Sequence, residues 1–284
     1  MAYIFRGGRD RYEKKYYYEA ITRFPQEFEG LSSIDRLAKM QHYGWPTRLL
    51  DFTRKPLVAL YFACEDIIQK CKCNTAHVIT EGGCKENHDG VIYIVKAKYP
   101  ESLEDDGIVT LSYDSDRALL LGCLCRMTAK QIAKMKKFAD ALLNKNIKDG
   151  TQLRISEKTF VSENADHETI FAFRKFYGEA RRERNAFDIF DTRPQDLLDS
   201  FMLSPQSHKI QNERLSVQDG AFCIVGLRGE PVESTPIIID KDAKEDIIKE
   251  LDRLGINRAT IYTDLSNAAK VVDAIVMDKL SGSS

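Results

Sequence analysis

Long apolar runs are missing from this 284-residue chain. The longest, Leu57–Cys64, is far short of the roughly 20 residues that a membrane-crossing helix needs. The amino terminus, MAYIFRGGRDRYEKK, turns charged at Arg6 and holds no apolar stretch of signal-peptide length, so a soluble chain without a membrane role is expected. An excess of charge is missing as well. Forty-two Lys and Arg stand against 43 Asp and Glu, which excludes a surface-wide cationic field and leaves nucleic-acid contact to a local patch. A disulfide framework is absent, because the seven cysteines are odd in number and scattered. Free thiols in a reducing compartment follow, and the expected location is the cytoplasm. No internal repeat and no Pro- or Ser-rich linker divides the chain, so the expectation is a single domain over 1–280 with a disordered tail at 281–284.

What is present is an ordinary globular composition, 43% hydrophobic and 30% charged, with helical and strand patterns intermixed. Tyr3–Phe5 is β-prone and ends at Arg6-Gly7-Gly8, which predicts a strand followed by a turn. Ser33–Tyr43 carries Ile34, Leu37 and Met40 at helical steps behind a Ser32 or Ser33 cap and stops at Gly44, while Lys55–Lys70 presents a broad apolar helical face. The polar stretch between them reads as a loop. Residues 71–90 lose all periodicity before a strand at Val91–Val95, and Lys130–Leu143 reads as a helix behind Thr128. Strands are predicted at Phe222–Val225, Pro236–Asp240 and Ala259–Tyr262, with helices at Ala243–Leu254 and from Ser266.

Chemistry concentrates in Gln41-His-Tyr-Gly-Trp-Pro-Thr-Arg-Leu-Leu-Asp-Phe-Thr53, which holds the only tryptophan. Two readings stand side by side. One is a ligand-binding loop. The other is turn and cap chemistry, with Gly44 and Pro46 turning the chain, Leu49 and Leu50 in the core, and Asp51 capping a helix or pairing with Arg48. Arg6 likewise suits either a ligand or an ion pair with a carboxylate such as Asp51. His42 has a pKa range suited to a general base and is equally suited to a buried structural role.

Phe5-Arg6-Gly7, then Gln41–Gly44 with Pro46–Asp51, Thr53 and Ala59–Ala63, then Asn212–Phe222 and Leu254–Leu265, resemble the FRG domain family, named for its Phe-Arg-Gly signature. The succession of an arginine after a strand, a Thr-containing segment leading into Ala59-Leu-Tyr-Phe-Ala63, and a late Gln218-Asp219 is similar to the layout of ADP-ribosyltransferases. That resemblance implies an α+β fold, a small mixed central sheet with surrounding helices and a helical insertion at about 125–200. It also implies NAD as substrate, a protein or nucleic-acid acceptor, and a role as a bacterial toxin or phage-conflict effector. Carried onto this chain, it places Arg6, Gly7, Thr47 and Arg48 on the phosphates and Tyr43 or Tyr61 against the nicotinamide. Asp51, or Gln218 with Asp219, would face the developing sugar cation, with His42 as base. Gln218 stands where most such enzymes have a glutamate, and an amide supplies no negative charge. The alternative implied is a nucleotide-binding sensor or interaction module without turnover.

Two further clusters ask for an explanation. Cys71, Cys73, Cys84 and His88 fit none of the usual paired zinc spacings, so no metal is expected. From Arg126 to Arg184, fourteen Lys and Arg face eight Asp and Glu, interleaved with Phe171, Phe173, Phe176 and Tyr177. The stretch reads either as a nucleic-acid surface or as an amphipathic helix with its aromatics turned inward.

Overall fold

A computed structural model describes residues 3–65, 77–80, 83–86, 88–99, 107–183, 191–204, 218–229 and 234–262. The chain opens on two short 3-10 stretches within Tyr3–Tyr12, separated by a kink at Arg6–Gly8, rather than on the expected strand. Gly7 (φ 61°) and Gly8 (φ 71°) both lie in the left-handed region, so the backbone folds back immediately after Arg6, leaving a run too short to hold a ladder. Helices α1 (Glu13–Arg23), α2 (Pro25–Phe28) and α3 (Ser33–His42) follow. Helix α3 starts where the sequence placed it, because Ser32 accepts from the Asp35 amide and Asp35 accepts from the Ser32 amide, a reciprocal cap.

Strand β1 (Leu49–Thr53) occupies the stretch expected to be a loop. Its Leu-Leu-x-Phe-Thr core is β-prone, and the hydrogen-bonding side chains around it masked that preference. Then come α4 (Pro56–Cys64), the hairpin strands β2 (His77–Thr80) and β3 (Gly83–Glu86), and β4 (Gly90–Ile94), β5 (Ala97–Lys98) and β6 (Ile108–Leu111). A helical block runs through α5 (Asp116–Gly122), α6 (Ala129–Asp149), α7 (Glu157–Ser162), α8 (His167–Glu183) and α9 (Pro194–Leu198). The last elements are β7 (Phe201–Leu203), β8 (Gly220–Ile224), β9 (Thr235–Ile239), α10 (Lys244–Arg253) and α11 (Arg258–Ile261). Helix α11 replaces the strand expected at Ala259–Tyr262. Asn257 caps it by accepting from the Thr260 amide at 3.1 Å, and that cap outweighs the β-branched content. The helix expected from Ser266 lies outside the described residues.

The fold is mixed α+β with a small five-stranded mixed sheet, order β1-β8-β7-β6-β5. Strands β5, β6 and β7 run parallel and β8 antiparallel to β7, while β2–β3 and β4–β9 form separate antiparallel pairs. Contacts divide the chain into two compact units interleaved in sequence. The first is built from 1–51, 97–210 and 222–233, and the second from 52–96, 211–221 and 234–284.

In the first unit, residues Phe222–Ile224 of β8 are buried and α6, α7 and α8 enclose an aromatic core. Phe138, Phe160 and Phe173 lie with ring centroids 5.4–5.8 Å apart, and Phe173 stacks on Tyr177 at 6.1 Å. Each such ring taken from water contributes about 1.5–3 kcal/mol. In the second unit, Tyr61 of α4 packs with Leu251 of α10 and Ile261 of α11.

Candidate functional site

The first unit holds most of the motif. Helix α3 ends because Gly44 adopts φ 77°, where the amides of Gly44 and Trp45 turn back to the carbonyls of Gln41 and Met40. This places Gln41, in the last helical turn, against β1. Buried Thr47 donates from Oγ1 to Gln41 Oε1 at 2.5 Å and accepts from the Leu49 amide at 3.2 Å. Gln41 in turn donates from Nε2 to Asp51 Oδ2 at 3.0 Å. The exposed Asp51 carboxylate is therefore aimed by an amide that is itself anchored on a buried hydroxyl. Tyr43, 65% exposed, meets the His42 ring edge-on with centroids 5.0 Å apart.

Arg48 is not available to a phosphate. It is 2% exposed, and its Nε and Nη2 donate to Glu13 Oε1 and Oε2 at 2.7 and 2.5 Å while Nη1 donates to the Val225 carbonyl at 2.9 Å. The fork that suits a pyrophosphate is used instead to tie α1 to β1. The proposed pairing of Asp51 with Arg48 is replaced by this one, because Glu13 reaches the guanidinium bidentately in a buried setting.

A second buried polar group joins α3 to α8. Glu183 accepts from the Ser33 amide at 2.9 Å, and Arg126 Nη2 donates to it at 2.6 Å.

Tyr61, Gln218 and Asp219 belong to the second unit. Gln218 is buried, donating from Nε2 to the Ile261 carbonyl at 3.2 Å, and its own carbonyl accepts from Thr53 Oγ1 at 2.6 Å. Asp219, at φ 47°, accepts from Arg54 Nε at 3.1 Å. The amide and the acid thus hold the chain in a turn before β8. Tyr61 is 1% exposed, and desolvation, then Glu65, pushes its hydroxyl up to about 12. It is a core residue rather than a stacking platform.

Residues 2–72 match the family model of the FRG domain. The chain carries an FRG domain. No curated protein and no solved structure matches the chain. Within the FRG segment, the signature divides its labour. The Phe5 ring packs so close to Gly229 that a Cβ there would lie 3.2 Å from it, while Arg6 is exposed and its carbonyl accepts from Arg9 Nη1 at 2.9 Å. Glu13 and Gln41 are the two residues that sequence reasoning passed over. Gln41 heads the motif and was open to discovery; Glu13 is separated from its partner by 35 residues and carries no local signal.

The basic stretch is compensated in part. Arg174 pairs with Glu157, Arg182 with Glu179, Lys134 with Asp166 and Glu168, and Lys145 with Glu163. Phe173, Phe176 and Tyr177 are buried while Phe171 is exposed, so three of the four aromatics turn inward as the amphipathic-helix reading has it. Among the described residues no group of three His, Cys, Asp or Glu is arranged to hold a metal; Cys71 and Cys73 lie outside them. No described helix is long and apolar enough to cross a membrane.

Proposed function

We propose that the FRG segment is a nucleotide-recognition module, with NAD as the first ligand to test. The observation that carries this reading is the outward-facing Asp51 carboxylate, held by the Gln41–Thr47 relay, in the same motif as an exposed Tyr43 ring. An exposed, oriented carboxylate suits a ribose hydroxyl, and a ring suits a base or nicotinamide face. Arg6, exposed before the left-handed Gly7 and Gly8, retains the phosphate role that Arg48 has lost. The group that turnover would recruit at the sugar, Gln218, is committed to an internal bond. This favours recognition over cleavage.

The second reading, an ADP-ribosyltransferase-like NAD-consuming enzyme, is favoured by one feature, the preorganised Asp51 itself. A carboxylate aimed before substrate arrives is what a developing sugar cation requires. Calorimetric titration with NAD, ADP-ribose and AMP, with chromatographic assay of nicotinamide, separates the two. Binding that weakens about tenfold in Tyr43→Ala without nicotinamide release supports the module. Release abolished in Asp51→Asn supports the enzyme, and no binding of any nucleotide removes both.

A further inference from the structure

About half of the cations at 126–184 are paired with nearby carboxylates, and a second cationic stretch lies at the start of the chain. Residues 6–15 carry Arg6, Arg9, Arg11, Lys14 and Lys15 against Asp10 and Glu13, and they run into the three consecutive tyrosines 16–18. Glu13 is buried against Arg48 and offers nothing to its neighbours on the surface. The end of the 3-10 segment, the outer face of α1 and the cap of α6 enclose a groove of about 350 Å³, lined by Arg11, Tyr12, Lys14, Lys15, Tyr18 and Thr128 among others.

Glu19 is the single carboxylate in that lining, and Arg23 takes it at 3.2 Å. Among the described residues Arg11, Lys14 and Lys15 make no salt bridge. Lys14 Nζ sits 5.8 Å from the Tyr18 ring centroid, and Tyr12 and Tyr18 are 60% and 41% exposed. From α8, Lys175 faces Lys14 as a like charge and Glu179 as an opposite one, but Glu179 is already shared by Arg126 and Arg182. Partial desolvation and the nearby Lys175 both lower the Lys14 pKa, a repulsion that an anion in the groove would relieve.

We propose that this groove, formed by Arg11, Lys14 and Lys15 with the rings of Tyr12 and Tyr18, binds single-stranded nucleic acid. Uncompensated cations recognise the phosphates, and exposed rings interleaved with them recognise the one polyanion whose every repeat also carries a π face. A folded duplex would hide those faces. The site is separate from the Gln41–Asp51 relay and stands or falls independently of nucleotide recognition there.

Fluorescence anisotropy with labelled polyuridine and poly-deoxythymidine, on the full chain, tests it. Three neutralised phosphates give a slope of log affinity against log salt of about −2, each contributing about −0.7 on a single strand. Lys14→Glu with Lys15→Glu should bring the slope near zero. Tyr12→Ala should weaken binding about tenfold and leave the slope unchanged, which a bare charge effect would not do. Arg181→Glu with Arg182→Glu should leave both quantities as they are. Circular dichroism checks that each variant keeps the fold. The proposal is overturned by absent binding at low salt, by undiminished binding in the Lys14/Lys15 variant, or by binding to anionic phosphatidylserine vesicles without binding to either oligonucleotide.

Discussion

Replacing Arg48 with methionine keeps most of the side-chain volume and removes the guanidinium. Glu13, 5% exposed, would then hold a carboxylate in the interior with no cation, and the Val225 carbonyl would lose its donor at 2.9 Å. Each charge-assisted bond to the fork is worth about 1.5–3 kcal/mol net, but taking both ions from water offsets much of that. The quantity to expect is the cost of orphaning a buried charge, about 3–5 kcal/mol. For a cooperative body of this size each kcal/mol lowers the melting temperature by about 2–4 °C, so Arg48→Met should melt roughly 6–20 °C lower by far-UV circular dichroism. Replacing Glu13 with leucine as well should restore most of the loss, because the pair removed together leaves no orphan. Two results would refute the reasoning: a cost of under about 1 kcal/mol for the single variant, or a stable Arg48→Met protein that has lost nucleotide binding. The second would return Arg48 to the ligand.

Other expectations follow from separate features. Gly226→Ala would put a Cβ 2.2 Å from the Asp199 carbonyl oxygen and 2.6 Å from that of Leu198, so backbone must move; the variant should be poorly folded, as judged by soluble yield and melting. Burial pushes the thiols of Cys123 and Cys223 up to about 12 and that of Cys125 well above its usual range, so these three should resist iodoacetamide at neutral pH until denaturant is added, as read by peptide mass mapping. Asp166 is held at about 2, chiefly by the Lys134 ammonium and then by the Thr169 amide. Its folded pKa lies below the ordinary 3.8, so its contribution is complete above that value and is lost as pH falls toward 2. Carboxyl NMR should show the titration moving upward in Lys134→Ala.

Local signals carried the helices. The Ser32 and Thr128 caps, Gly44 and the apolar periodicity of α3 and α6 each act within a few residues, and the structure starts or stops those helices there. What the sequence concealed was longer in range. Strand β1 exists because a buried neighbour, β8, receives it from far along the chain, and nothing in Leu49–Thr53 announces that partner. Arg48 illustrates the same limit at the site. A phosphate-binding arginine and a structural one look alike until Glu13 is found, and the first expectation failed on that residue. Asp51 was legible as the one carboxylate in the motif, whereas its support by Gln41 and Thr47 required the turn at Gly44 to be built.

The discontinuity of the first unit along the chain sets a timetable for synthesis. Ser33 must wait for Glu183, 150 residues downstream, and Arg48 for Val225, 177 residues downstream. At about 5–20 residues per second, Ser33 and Arg48 leave the ribosome roughly 8–35 s before the partners that complete them exist. During that interval the β1 edge has no neighbour and Phe5 no glycine to cover it. The segment therefore completes these buried contacts only once the later parts of the first unit have been made.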